Sequence, residues 1–373
     1  MDSSNRRRAR HAVHAFSLRY LLVVPILLAA LTGYVLFVHS DTNIYMLYSQ
    51  CRARARIPWL SHIPLIGSPA CFVVSFFGEA VASARAFAVM AAVLSYVAGL
   101  LTVSTVEAAR ICNSPSLLIA YPTGPWLVFD LVGGALVWEL VIIPAFFHRS
   151  RAIIAARRRG GPPRLPEPAD PTFGEAMRHL ARVAEAVAIP AAVAIGYVVP
   201  ALLMLVLAEP AAVLAWLFFP VCVSLVRRLV RRAVLAMRDS WRDSLHLESS
   251  RPALLAVYAV PVVCSALAHG LLIWSLTQPD DRREMTHATT KFVVINAFFV
   301  GLTVLYWILV EAGWRVALVM VGASVVLGPG AGICLGWIYR EHTVDPDPRV
   351  TVVAVGARRG SGDSPSEETP LLR

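Results

Sequence analysis

The stretch Tyr20–Val38, YLLVVPILLAALTGYVLFV, carries no charged residue. A helix needs about 20 apolar residues to cross the hydrocarbon core of a bilayer, so this run has the length and character of a membrane span. It reads as a signal anchor, because it is long enough to cross and no small-residue cleavage site follows it. Working outward, similar runs recur along the chain at 63–82, 86–107, 126–147, 186–208, 210–226, 253–277, 292–310 and 316–338. The expected fold class is all-α: a polytopic transmembrane helix bundle of about nine to eleven spans, a scaffold type that transporters also use.

Composition points the same way. Of 373 residues, 57% are hydrophobic and 16% charged, with a mean hydropathy of +0.63. A soluble domain carries about 25% charged residues. The chain divides into a basic cytosolic head at 1–16 (Arg6, Arg7, Arg8, Arg10), a first membrane bundle at 17–147, a polar basic cytosolic loop at 148–185, a second membrane bundle at 186–338, and a tail at 339–373 of disordered composition. Within 116–147, Pro122-Thr-Gly-Pro125 breaks the run early, and the part before it has the length of a re-entrant segment rather than a span. Thr172-Phe-Gly-Glu175 has the form of a capping box and predicts a helix running through Arg178 and Arg182 into 186–208.

The net charge of +10 comes from arginine, since Lys291 is the sole lysine. The arginines sit between apolar runs, as the positive-inside rule expects. They point to the lipid bilayer, and to anionic headgroups at the inner loops, as partners, and away from nucleic acid. The same rule puts the N-terminus in the cytosol. The inner segments are then 1–16, the link at Arg85, 148–185, 227–252 and the link at Arg315, and the outer loops are 39–62, 108–125 and 278–291. An odd number of spans leaves the tail outside. Yet Glu367-Glu-Thr-Pro-Leu371-Leu372 has the acidic dileucine spacing that cytosolic sorting adaptors read. Either one span is miscounted or the motif is accidental.

Charges inside apolar runs are the sharpest candidates for a polar site, because a charge at bilayer depth costs at least about 2.5 kcal/mol. Glu139 lies near the middle of 126–147, Asp130 near its outer end and Glu79 near the inner end of 63–82. On one helix Asp130 and Glu139 are about half a turn out of phase and do not share a site. Each acid is a proton or substrate site, or a buried acid bonded to a neighbouring helix. His269 has the same two readings. Pro190, Pro200, Pro210 and Pro220 mark either broken helices lining a site or kinked structural helices and turns. Gly328, Gly332 and Gly336, four apart, give two overlapping G-x-x-x-G units and a flat face for helix packing. Glu311 and Arg315 are placed to pair on one helix face. Cys51 and Cys112, the two cysteines outside apolar runs, fall in the outer loops 39–62 and 108–125, where a disulfide persists. No phosphate loop, nucleophile elbow, zinc motif or dinucleotide fingerprint occurs, so no enzyme activity, cofactor or metal is expected.

The Arg-rich head, the Ala/Val/Leu-rich runs, arginine in place of lysine and the ending Glu367-Glu-Thr-Pro-Leu-Leu-Arg373 resemble the multi-span envelope protein family of alphaherpesviruses encoded by unique-long gene forty-three. The resemblance covers the whole chain in length and layout. It implies a non-glycosylated accessory component of the virion envelope and host-cell membranes, linked to membrane fusion or trafficking, with other viral envelope proteins as partners. A fainter similarity is to equilibrative nucleoside transporters, in the polar central loop, the five following runs and Glu311-Ala-Gly-Trp-Arg315. It implies movement of a small solute such as a nucleoside.

Overall fold

The structure is a computed structural model that describes residues 17–38, 67–158, 180–237, 241, 243–245, 247 and 250–343. The helices are α1 (Leu18–Val38), α2 (Gly67–Ala80), α3 (Ala84–Ala109), α4 (Thr123–Val132), α5 (134–158), α6 (Glu185–Leu207), α7 (Pro210–Leu217), α8 (Phe219–Met237), α9 (Arg251–Leu276), α10 (Glu284–Ala312), α11 (Trp314–Leu327) and α12 (Pro329–Thr343). Pairing between strands is limited, among the described residues, to isolated bridges linking Arg110 to Leu180 and Leu180 to Leu245. Those bridges correct the helix expected through Arg182: Leu180 is bridged, the chain bends and turns over 181–184, and α6 begins only at Glu185. Thr172–Glu175 lies outside the described residues.

Five helices are long and apolar enough to cross a membrane, or six if α7 and α8, bent by 60° at Phe218, form one span. They are α1, α3, α6, α9 and α10, with α7–α8 as the sixth. The count of nine to eleven is not reached among the described residues, and two of the expected spans show why. The run 126–147 is broken at Gly133, with φ +113°, and 316–338 at Gly328, with φ +90°. An L side chain is strained at such φ, so glycine allows the chain to reverse there. Across Gly133, the rings of Trp126 and Trp138 lie 6.1 Å apart, and Leu118 and Ile119 share a small apolar cavity with Ala145 and Phe146. Across Gly328, Gly332 faces Ser324 and Gly336 faces Met320. Both runs are therefore antiparallel hairpins, α4–α5 and α11–α12. Either limb alone is too short to span, so hydropathy length overcounts.

Contacts between helix ends fix the direction of each element. At one end, called the basic end, Ala181 N–H donates to Ala109, Val183 N–H to Asp243, and the Arg149 guanidinium to the Cys112 carbonyl. Arg227 and Arg231 bind Glu185 at 2.7 and 3.0 Å, so α8 returns to the end from which α6 departs. At the opposite end, the N–H groups of Ala84 and Arg85 donate to Asp281, and Arg85 lies 3.5 Å from Asp280. Tyr306 donates to the Leu21 carbonyl while Thr32 reaches Glu139, so α1 starts at the basic end. These contacts correct two loop assignments. Residues 108–125 belong with 180–185 and 241–245 at the basic end, and Arg85 belongs with 277–283 at the opposite one.

Both hairpins enter from the basic end and turn part-way through the bundle. At the first tip, Ala135 N–H donates to Asn296 in the middle of α10, at 2.8 Å. At the second, Gly328 abuts Ser265 and His269 of α9, and Gly330 abuts Ser95 and Gly99 of α3. Buried indoles join them: Trp126 and Trp138 of the first hairpin, Trp307 of α10, then Trp337 of the second, with centroids 6.1, 6.4 and 4.7 Å apart in sequence. Aromatic contacts of this kind contribute about 0.5–1.5 kcal/mol each beyond burial. In lipid, such packing and hydrogen bonding, rather than water exclusion, hold helices together. The outside is correspondingly apolar: Phe37, Leu267, Val325 and Val326 are all exposed.

Candidate functional site

Among the described residues, two buried polar groups gather acids from several helices. The first lies along the first hairpin. Helix α5 widens into a π-turn at Trp138–Ile142, which carries Glu139. Glu139 is fully buried, and its Oε1 accepts from Thr32 of α1 at 2.8 Å and from Thr303 of α10 at 3.4 Å. Its Oε2 and the neighbouring Trp138 Nε1 are buried without a hydrogen-bond partner among the described residues. So are both carboxyl oxygens of Asp130, on the opposite limb. The half-turn phase relation expected of Asp130 and Glu139 is thus replaced by a hairpin relation, three residues before and six after Gly133. Each orphaned oxygen has room in its bonding capacity for a proton, a water or a solute N–H or O–H.

Glu79 is half-buried near the end of α2, where Phe76 meets Phe292 edge to face, and so lies at the opposite end from Glu107 and Arg110. His269 is half-buried with Nε2 3.1 Å from the Val325 carbonyl, and it holds the second tip rather than joining the acids. Of the three glycines, Gly328 forms that tip, and Gly332 and Gly336 let α11 and α12 approach within their own hairpin.

The second group escaped sequence reasoning. At the basic end, the carboxylates of Glu107, Glu311 and Glu341 meet the guanidinium groups of Arg110 and Arg340. Arg340 donates to Glu107 at 2.9 Å and to Glu311 at 2.6 Å, and lies over the Trp337 ring at 5.3 Å. Arg110 donates to Glu107 at 3.1 Å and Glu341 at 2.6 Å. Trp307 and Trp337 indoles and the Asn113 amide occupy further acceptor positions. The pair expected between Glu311 and Arg315 gives way to this cluster, and Arg315 lies over the Trp314 ring. Buried charges are sustained only when paired and hydrogen-bonded. The cluster locks the ends of α3, α10 and α12 together.

A smaller charged link closes the opposite end. There the side-chain and backbone bonds from Arg282 hold the Asp280 carboxyl well below the usual carboxylate range. Among the described residues no group of His, Cys, Asp or Glu is arranged to hold a metal ion. Cys112 is a thiol and Cys71 is disulfide-bonded, which overturns the expected Cys51–Cys112 bond. Cys51 itself lies outside the described residues, as do Glu367, Leu371 and Leu372.

With this geometry in hand, comparison with known families is decisive on one point: the model of the CtvD domain matches residues 65–279. The chain belongs to the CtvD domain family. No curated protein and no solved structure matches it. The CtvD segment holds α2 to α9, and with them the first hairpin, Asp130, Glu139, Glu107 and Arg110. Helix α10 and the second hairpin follow it. Both polar groups therefore straddle the edge of the CtvD segment: Glu139 bonds Thr303, and Glu107 bonds Arg340.

Proposed function

We propose that this CtvD-family chain is a multi-pass envelope membrane protein of virions and host-cell membranes, with a structural or fusion- and trafficking-modulating role and no enzymatic activity. The observation that carries this reading is the basic face at one end of an apolar bundle. Arg227 and Arg231 of α8 are engaged by Glu185, whereas Arg228 and Arg232 are exposed beside exposed Leu225 and Leu229. A helix that is basic and apolar on one exposed side suits the headgroup layer, and each surface arginine contributes about 1 kcal/mol against anionic lipid. By the positive-inside rule this end and the N-terminus are cytosolic. Other envelope proteins are the proposed protein partners, as the alphaherpesvirus likeness implies.

Two measurements test it. Protease added outside intact cells leaves the link 227–252 uncut; cleavage there overturns the orientation. The Arg228→Gln/Arg232→Gln protein, purified from mixed-lipid membranes, retains several-fold less anionic lipid than wild type. Equal retention removes the lipid role. Arg238 and Arg242 of the same link lie outside the described residues.

A second reading, a transporter-like protein for a small solute such as a nucleoside, is favoured by the two hairpin tips turning inside the bundle and by the orphaned oxygens of Asp130 and Glu139. Helices broken inside a bundle are how transporters place polar groups at the midplane. On this reading Glu139→Gln abolishes uptake into proteoliposomes without lowering expression. Absence of uptake of any nucleoside-like solute by the wild type eliminates it.

A further inference from the structure

Arg149, near the basic end of α5, is a half-buried cation without a counter-charge. Among the described residues, the half-buried guanidinium groups of Arg85, Arg227, Arg231 and Arg282 each meet a carboxylate, at 2.7–3.5 Å. Arg149 meets none there. Its Nε donates to the Cys112 carbonyl at 2.6 Å, which fixes the group in place, and its two terminal amino groups have no partner among the described residues. A guanidinium held in this way presents a planar fork matched to a phosphate.

Below the cation the surface is apolar. Ala145 and Phe146 stand four and three residues before Arg149, so they share its face of α5. They line one wall of the cavity whose other wall includes Leu118, Ile119 and Pro122. Leu118 is 48% exposed and leaves this slot open toward the bilayer. The enclosed space is about 10 Å³, room for one water-sized group. It is too small to take in a sterol or a free solute, whereas a chain can lie along its open side. We propose that Arg149 and this slot bind one anionic glycerophospholipid, with its phosphate on the terminal amino groups and the upper part of one acyl chain along Leu118, Pro122 and Phe146. The two parts are stacked as a lipid is: the cation lies in the headgroup layer, and the slot lies one helical turn, about 5 Å, deeper. A zwitterionic choline lipid is disfavoured, because no acid pairs with Arg149 to receive its ammonium group and the guanidinium repels it. The site is separate from the exposed arginines of α8. It requires a headgroup layer at the basic end, but neither the viral reading nor the orientation.

The test counts lipids on the full chain by native mass spectrometry, after reconstitution with dioleoyl-phosphatidylglycerol and dioleoyl-phosphatidylcholine. Wild type binds one phosphatidylglycerol about tenfold more tightly than phosphatidylcholine, and Arg149→Gln weakens that binding about tenfold or more. Arg149→Lys, which keeps the charge and loses the fork, weakens it less. Leu118→Ser, with Arg149 untouched, weakens it several-fold, and millimolar inorganic phosphate does not displace the lipid. Equal affinity for the two lipids, or wild-type binding by Arg149→Gln, overturns the proposal. Displacement by inorganic phosphate together with wild-type binding by Leu118→Ser overturns the lipid and leaves a simple anion site. The thermal midpoint is followed in parallel. If Arg149→Gln loses its fold along with the lipid, Leu118→Ser decides, and unchanged binding by that variant overturns the proposal. Bulk retention of anionic lipid, which reads the α8 face, is a separate count, so either site can fail with the other intact.

Discussion

Replacing Arg340 by methionine removes about 3–5 kcal/mol of stability, the cost of breaking a buried ion pair from one side. The side chain is 5% exposed and spans Glu107 and Glu311 while stacking on Trp337. Without it, the buried carboxylates of Glu107 and Glu341 share the single guanidinium of Arg110, and the half-buried Glu311 loses its bond to Arg340. Total stabilities are about 5–15 kcal/mol, so the variant loses a large part of its margin. The expected readout is a marked drop in the thermal midpoint of the detergent-purified protein, followed by size-exclusion chromatography. Adding Glu311→Gln restores part of the loss, because it returns the cluster to the wild-type excess of one carboxylate. A single variant as stable as wild type, or a double variant worse than the single, shows that the cluster does not fasten the bundle.

The second large effect is steric. A Cβ built on Gly330 falls 2.5 Å from the Ser95 carbonyl oxygen and 3.0 Å from its carbon, so the obstacle is backbone and cannot rotate away. The reciprocal position, Gly99, meets the Gly330 carbonyl at 2.8 Å. Gly330→Ala therefore pushes the second tip off α3 and costs about 1–3 kcal/mol, the range for overpacking. Gly322→Ala is the matched control. A Cβ there meets nothing within 4 Å, and alanine is the better helix former by about 1 kcal/mol. Opposite signs for the two changes in thermal midpoint are expected. Equal, small effects would mean the tip does not touch α3.

The all-α membrane character was legible from Tyr20–Val38 and the runs that follow, because hydrophobic length is a local property. The hairpins were not, because 126–147 and 316–338 have enough apolar residues to cross once. The signals were present as Gly133-Gly134 and Gly328-Pro329-Gly330, but a glycine in an apolar run reads equally as helix packing until its φ is known. Side assignment inherited the error: treating 63–82 as a crossing put Arg85 and Cys112 at the wrong ends. Glu139 was found because an acid in mid-run is conspicuous. Glu107, Arg110, Arg340 and Glu341 sit at the margins of runs, where charge is ordinary. The Arg110–Glu341 and Arg340–Glu107 pairs join residues separated by more than 230 positions, which no local pattern reveals.

The cap on the first hairpin also sets an order of events during synthesis. The N–H of Ala135 receives its acceptor from Asn296, 161 residues later in the chain. A bare peptide group inside hydrocarbon costs several kcal/mol. The first hairpin thus cannot settle into its final depth while only the earlier helices have left the ribosome. Its tip is capped only once α10 is in place, whereas the second hairpin packs on α3 and α9, which precede it in the chain.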